Sequence, residues 1–166
     1  MGFTCAVCGR FHDDELLDVR AGLPEAIYEL SEEERRRRAS VDPGGDFATL
    51  DGDRHFVRAL IEIPLTTDDE RFGWGVWILV APAYAPAVAR DWTDPQAFGR
   101  TYPGRLATDL PAYGATIDLP GALRFRSLEE LPAFELDDRS HPLALEQRLG
   151  ISLERARELA DPYRQA

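Results

Sequence analysis

Phe72-Gly73-Trp74-Gly75-Val76-Trp77-Ile78-Leu79-Val80 is apolar on both of its alternating faces. A strand of that kind needs neighbours on both sides and cover above and below. The residues before it offer neighbours. Phe47 to Leu50 and His55 to Ile63 read as two strands joined at Asp51-Gly52, the favoured residue pair for a tight hairpin. Pro64 to Arg71 is a polar loop, so the three strands form an antiparallel meander. Gly73 and Gly75 face away from Trp74 and leave room for a helix or another backbone to approach. Trp74 and Trp77 suit the core of such a strand better than a ligand groove.

The flanking segments carry helical signals. Leu23 to Leu30 reads as a short helix with Pro24 in its first turn. Ser31-Glu32-Glu33-Glu34 is a capping box, with Ser31 as cap and Glu34 reaching back. In the helix that follows, Arg35 to Arg38 resembles a nucleic-acid patch. However, Glu32, Glu33 and Glu34 stand at i,i+4 to Arg36, Arg37 and Arg38, so a solvated, self-paired face is expected. Pro82 to Trp92 has helical spacing. Thr93 to Gly114 is irregular, and Ala115 to Leu119, Ala122 to Arg126 and Ala133 to Leu136 look like short strands. Pro142 to Leu149 is a helix with Pro first and Gly150 as its stop, and Ser152 caps a last helix to about Tyr163. The expectation is a single α+β domain over 1–166: an antiparallel β-meander with helices packed on it.

The chain's two cysteines lie in Cys5-Ala6-Val7-Cys8-Gly9, with His12 four positions later. Two thiolates and an imidazole at that spacing are three of the four ligands of a tetrahedral zinc site. Gly9 suits the turn that such a knuckle closes. A redox pair would be expected where a strand ends and a helix begins, which this position lacks; unmetallated packing is the other alternative. A zinc knuckle over 1–14 is the reading adopted. His141, His55, Asp13 and Asp14 are candidates for the fourth ligand, and His141 leads because it stands directly before a helix. A histidine hydrogen-bonding near a helix end is the plainer alternative.

The formal charge is −11, and all 19 basic residues are arginine. Such a charge repels nucleic acid and anionic membranes and favours a basic protein partner. No stretch reaches the length of a membrane span, and Met1 to Cys5 has no secretory character, so a cytoplasmic protein is expected. Neither a Ser-His-Asp order nor a phosphate-binding glycine loop appears.

Two further sets of residues invite chemistry. Glu146 lies about one turn from Pro142 and could serve as a base near His141, although a solvent-facing glutamate beside a capping Gln147 is the commoner outcome. Glu62 sits between Ile61 and Ile63, with Arg58 four residues back on the same face. If that face is covered the two are expected to pair, and a covered pair in a cleft is a site candidate. Function is thus expected to be a binding or accessory role with a structural zinc, as in inhibitors of basic proteins. The alternative is a hydrolase whose zinc, on Cys5, Cys8 and His12, keeps an open position.

The landmarks taken in order resemble a bacterial family known as domain of unknown function number 2199. The matching residues are Cys5-x-x-Cys8-Gly9-x-x-His12, Phe56-Val57-Arg58 with Ile61-Glu62-Ile63-Pro64, and Phe72-x-Trp74-Gly75-Val76-Trp77. Leu110-Pro111-x-Tyr113 and His141-Pro142-Leu143-Ala144-x-Glu146-Gln147-x-x-Gly150-Ile151 complete the set. Arg100 to Arg105 departs from it, the family being more aromatic there. The resemblance implies the fold and the metal but no established activity.

Overall fold

The computed structural model describes residues 3–4, 11–12, 18–67 and 69–164. Its first half holds β1 (Phe3–Thr4), β2 (Phe11–His12), β3 (Asp18–Arg20), α1 (Glu25–Tyr28), α2 (Glu32–Arg38), β4 (Ala39–Val41), β5 (Phe47–Leu50) and β6 (Arg54–Pro64). There follow β7 (Arg71–Val80), α3 (Ala85–Asp91), β8 (Thr101–Leu106), β9 (Pro120–Arg124), β10 (Ala133–Leu136), α4 (Pro142–Leu149) and α5 (Leu153–Arg164). The protein is α+β.

The meander β5–β6–β7 forms as expected, in antiparallel register. Asp51 and Gly52 both take the left-handed backbone that the tight turn demands, with φ of 55° and 75°. The sheet does not stop there, and it is mixed rather than purely antiparallel. β7 continues through β8, β9 and β10, and β10 returns to β6 by a parallel contact at Ala133 and Leu60. The five strands from β6 to β10 therefore close into a barrel, extended by β3 on one side and by β5 and β4 on the other.

Closure puts backbones very close together where Gly104 pairs with Gly121. A β carbon on Gly121 would lie 2.4 Å from the Glu135 carbonyl oxygen, and one on Gly104 would lie 2.5 Å from Ile78. Only glycine fits such a wall. Gly73 and Gly75, where the sequence suggests a close approach, stand opposite Asp18 and Arg20 of the parallel strand β3.

Alternation then divides the side chains. Val57, Ala59, Ile61 and Ile63 of β6 point into the barrel with Phe72, Trp74, Val76 and Ile78 of β7, joined by Leu106, Leu123 and Phe134. Each large side chain so enclosed contributes roughly 1.5–3 kcal/mol relative to exposure. The opposite face carries a second cluster, Phe56 and Trp77 under Ile27 of α1, with Ala48 and Leu50. Trp74 and Trp77 are both core residues, on opposite faces of one strand.

The local signals at helix ends hold. Ser31 and Glu34 form the reciprocal capping box, and α4 has the expected bounds with Gly150 at φ 82°. The arginine run is less self-paired than expected. Among the described residues only Glu34 and Arg38 of the three pairs come within 4 Å, at 3.9 Å, and Arg38 makes a two-pronged contact with Asp51 at 2.8 Å instead. Ala115 to Leu119 is not a strand, and the stretch expected to be irregular contains β8. Pro103 is tolerated in β8 because the strand meets β7 only at Leu106 and Arg105 and is unpaired on that side farther back.

Candidate functional site

Arg58 and Trp77 are direct cross-strand partners on the outer face of the barrel. Arg58 is 3% exposed, and its guanidinium carbon lies 4.3 Å from the centre of the Trp77 ring. Two edges hold the plane: Nε donates to the Gly45 carbonyl at 3.2 Å, and Nη2 donates to the Gly22 carbonyl at 3.3 Å. Trp77 occupies a break in the pairing of β7, between its contacts with β3 and with β8. Its main chain is met there by Thr108 Oγ1 and by the Ala107 N–H, at 2.9 and 2.8 Å. Among the described residues, two buried donors lack an acceptor, Arg58 Nη1 and Trp77 Nε1. Burial, then the neighbouring Arg20, brings the Arg58 guanidinium down to about 10, against the pull of Asp46. Asp46 is pushed up by burial and by Asp42, and Arg20 and Arg58 oppose the rise.

The expected pairing of Arg58 with Glu62 does not occur. Four residues along a strand span about 13 Å, against roughly 6 Å for the same spacing on a helix. Glu62 stands opposite Gly73 and is free to turn to Arg126 at 2.5 Å and Arg71 at 3.1 Å. Its carboxylate closes an ion-pair cluster at the rim, where β6 meets the segment after β9.

The helix α4 turns its polar residues inward. His141 is its N-cap: Nδ1 accepts from the Leu143 N–H at 3.1 Å while Nε2 lies 2.8 Å from the Ala115 carbonyl. The ring therefore carries its proton on Nε2. Glu146 is not solvent-facing. Tyr113 donates its hydroxyl to Oε2 at 2.6 Å, Arg155 donates to Oε1 at 2.9 Å, and Trp74 Nε1 donates to the Tyr113 hydroxyl at 3.1 Å. Burial and the Glu146 hydrogen bond raise the Tyr113 pKa well above its ordinary value. Gln147 stands in for a missing strand, its amide bonding the Phe134 carbonyl at 2.7 Å and the Leu136 N–H at 3.1 Å.

One buried carboxylate was not anticipated. Asp91, at the end of α3, is fully buried and accepts from Tyr102 at 2.5 Å and from Arg100 at 2.8 Å. Both partners belong to the stretch that departs from the family resemblance. No local pattern marks Asp91, because its burial depends on a strand more than ten residues away.

The cysteines Cys5 and Cys8, with Asp13 and Asp14, lie outside the described residues. The backbone of His12 is described, in β2, where it stands opposite Phe3 of β1. His55 is half-buried at the start of β6. Among the described residues no three His, Cys, Asp or Glu side chains come together as a metal site.

The barrel with its helices, the inward-facing motif on α4 and the stacked Arg58–Trp77 pair define an α+β protein of a particular pattern. Residues 4–151 match the family described as an uncharacterised protein conserved in bacteria, DUF2199, and the chain belongs to that family. No curated protein and no solved structure matches it. Among the described residues no helix is long and apolar enough to cross a membrane.

Proposed function

We propose that this chain is a binding or accessory protein, stabilised by zinc on Cys5, Cys8 and His12, with a basic protein as partner. The observation that carries the preference for binding over catalysis is the use made of the α4 motif. His141, Glu146 and Gln147 are each bonded to groups of the fold itself. Glu146 and Glu62, the carboxylates suited to serve as base toward a zinc-bound water, are each held by a guanidinium. The hydrolase alternative needs one of those pairs to open.

Support for the metal comes from the antiparallel pairing of Phe3–Thr4 with Phe11–His12, which brackets the Cys-x-x-Cys segment. Two thiolates and an imidazole suit a closed, structural zinc site. As fourth ligand, His141 would exchange one of its two ring hydrogen bonds for the metal. The charge of −11 supports a basic partner, since it accelerates encounter with a cationic surface.

Elemental analysis of protein purified without chelator or affinity metal tests the first half of the proposal. One zinc per chain is expected, lost in a Cys5→Ser, Cys8→Ser double variant; no zinc, or zinc kept by that variant, overturns it. The second half predicts a specific basic partner whose complex weakens as salt rises. Hydrolytic turnover that disappears in Cys5→Ser would reverse the choice between binding and catalysis.

A further inference from the structure

The barrel closes between β6 and β10 by parallel pairing at Leu60 and Ala133 alone. Beyond that point the two strands part. Gln147 of α4 takes the Phe134 carbonyl and the Leu136 N–H, which a continuing strand would have met. On the β6 side, the Leu60 N–H and the Pro64 carbonyl bond to groups on the side away from β7. By alternation the main chain of Glu62, between them, faces the same way, toward the seam. Among the described residues no strand and no side chain meets it there. A cavity of about 400 Å³ occupies the seam between β6, β10 and α4. Pockets for small ligands span roughly 300–1,000 Å³.

Three kinds of group border this cavity. Glu62 brings one main-chain donor and one acceptor side by side, as an unpaired strand edge presents them. Leu60, Leu136 and Ala144 supply apolar wall. Arg139 and Arg148 also line it; both are exposed and, among the described residues, neither has a hydrogen bond or ion pair. The neighbouring carboxylates are engaged elsewhere. Glu62 is held by Arg126 and Arg71, Glu135 by Arg124, and Asp138 by the N–H and hydroxyl of Ser140. Asp137 lines a separate groove beside Pro103 and Pro120. We propose that the seam binds the C-terminal end of a peptide, its carboxylate at Arg139 and Arg148, its main chain on Glu62 and its last side chain, apolar, against Leu60, Leu136 and Ala144. A simple organic acid would answer the arginines and the apolar wall but leave the strand edge unmet. An inorganic anion would answer the arginines alone. A chain end answers all three, by strand addition and carboxylate capture together.

The groove is built into the fold before any ligand arrives. The end of α4 is tied to β6, because the Ile151 N–H donates to the Pro64 carbonyl at 2.9 Å. Gly150 permits that approach: a β carbon there would lie 2.8 Å from the same carbonyl oxygen. Gln147 fixes the other side of α4 to β10, so helix and strands hold their spacing and little ordering is left for binding to supply. This inference rests neither on the zinc knuckle nor on a basic partner.

Calorimetric titration of the full chain with N-acetyl-alanyl-leucine, and with the same dipeptide as its C-terminal amide, tests the proposal. The acid is expected to bind saturably and the amide at least about tenfold more weakly, the equivalent of one charge-assisted hydrogen bond. An Arg139→Gln, Arg148→Gln double variant changes only exposed side chains and is expected to lose that discrimination. In nitrogen-15 spectra the Glu62 and Leu136 amide signals should move as the acid is added, and hydrogen exchange at the Glu62 amide should slow. No saturable binding of the acid, equal binding of acid and amide, or discrimination kept by the double variant overturns the site. Shifts confined to residues away from the seam overturn it equally. Hexanoate bound as tightly as the dipeptide overturns the peptide assignment in favour of a simple carboxylic acid. Comparison of acid with amide needs no variant, so the proposal stays falsifiable if the double variant does not fold.

Discussion

The inner side of α4 and the outer face of β6 both enclose polar side chains among apolar ones, and they resolve the conflict in opposite ways. Around α4 each donor has found its acceptor: Trp74 gives to Tyr113, Tyr113 to Glu146, Arg155 to Glu146, and Gln147 to β10. On the outer face, Arg58 of β6 and Trp77 of β7 are as deeply covered, yet one N–H of each is left over. A satisfied buried network repays its desolvation and rigidifies the fold, while an unsatisfied donor keeps the full penalty. The contrast separates polar residues whose hydrogen bonds hold the barrel together from polar residues whose burial is left partly uncompensated. It also cautions against reading function from the most distinctive motif, which here is mainly a clamp.

The contrast can be broken at its strongest point. Tyr113→Phe removes the hydroxyl that serves both Trp74 and Glu146, and the expected loss of stability is about 2–3 kcal/mol by chemical denaturation. A loss near zero would place the α4 network in the same class as the outer face. The same residue sets a pH test. Since the folded pKa of Tyr113 lies above its ordinary 10, the unfolded chain ionises first as pH climbs. The associated stability is whole below pH 10 and is lost as pH rises beyond it. Melting temperature followed into alkali should fall less steeply in Tyr113→Phe than in the parent chain.

Smaller effects sharpen the picture. Gln147→Ala strips the Phe134 carbonyl and the Leu136 N–H of their partner and is expected to cost about 1–2 kcal/mol. Amide hydrogen exchange at Leu136 should speed up with it. His141→Ala removes the N-cap of α4, with an expected cost of about 1 kcal/mol. His141→Asn, which can still cap, should recover most of that. If zinc content falls in His141→Asn while the stability is restored, His141 belongs to the metal as well as to the helix. At the weak end, Arg58→Met is expected to change stability by no more than about 1 kcal/mol in either direction, since the lost hydrogen bonds and the relieved desolvation offset each other. A large destabilisation there would make Arg58 a structural residue like Glu146.

Part of the site was within reach of the sequence. Placing the loop over 64–71 fixes a symmetric hairpin, and that register sets Arg58 opposite Trp77 and Glu62 opposite Gly73. The cross-strand stack was therefore legible, and pairing along one strand was the wrong place to look. The partners of Glu146 were not legible in this way. Tyr113 is 33 residues away from it in the chain, and nothing local encodes which loop will cover a helix face.

What the sequence determined alone are the features whose causes are local. The Asp51-Gly52 turn, the capping box at Ser31, the bounds of α4 between Pro142 and Gly150, and the doubly covered character of β7 each follow from residue types within a few positions. Tertiary structure decided the rest. It recruited β3, let β8 form across Pro103, and brought β10 back to β6 through a wall that has room only for Gly104 and Gly121. It also decided which covered polar side chains are fully partnered, as Asp91 and Glu146 are, and which keep an unsatisfied N–H, as Arg58 does at Nη1. The physical reason is that hydrogen-bond satisfaction inside a fold depends on what arrives from distant parts of the chain, and alternation or helical period records only the face a side chain takes.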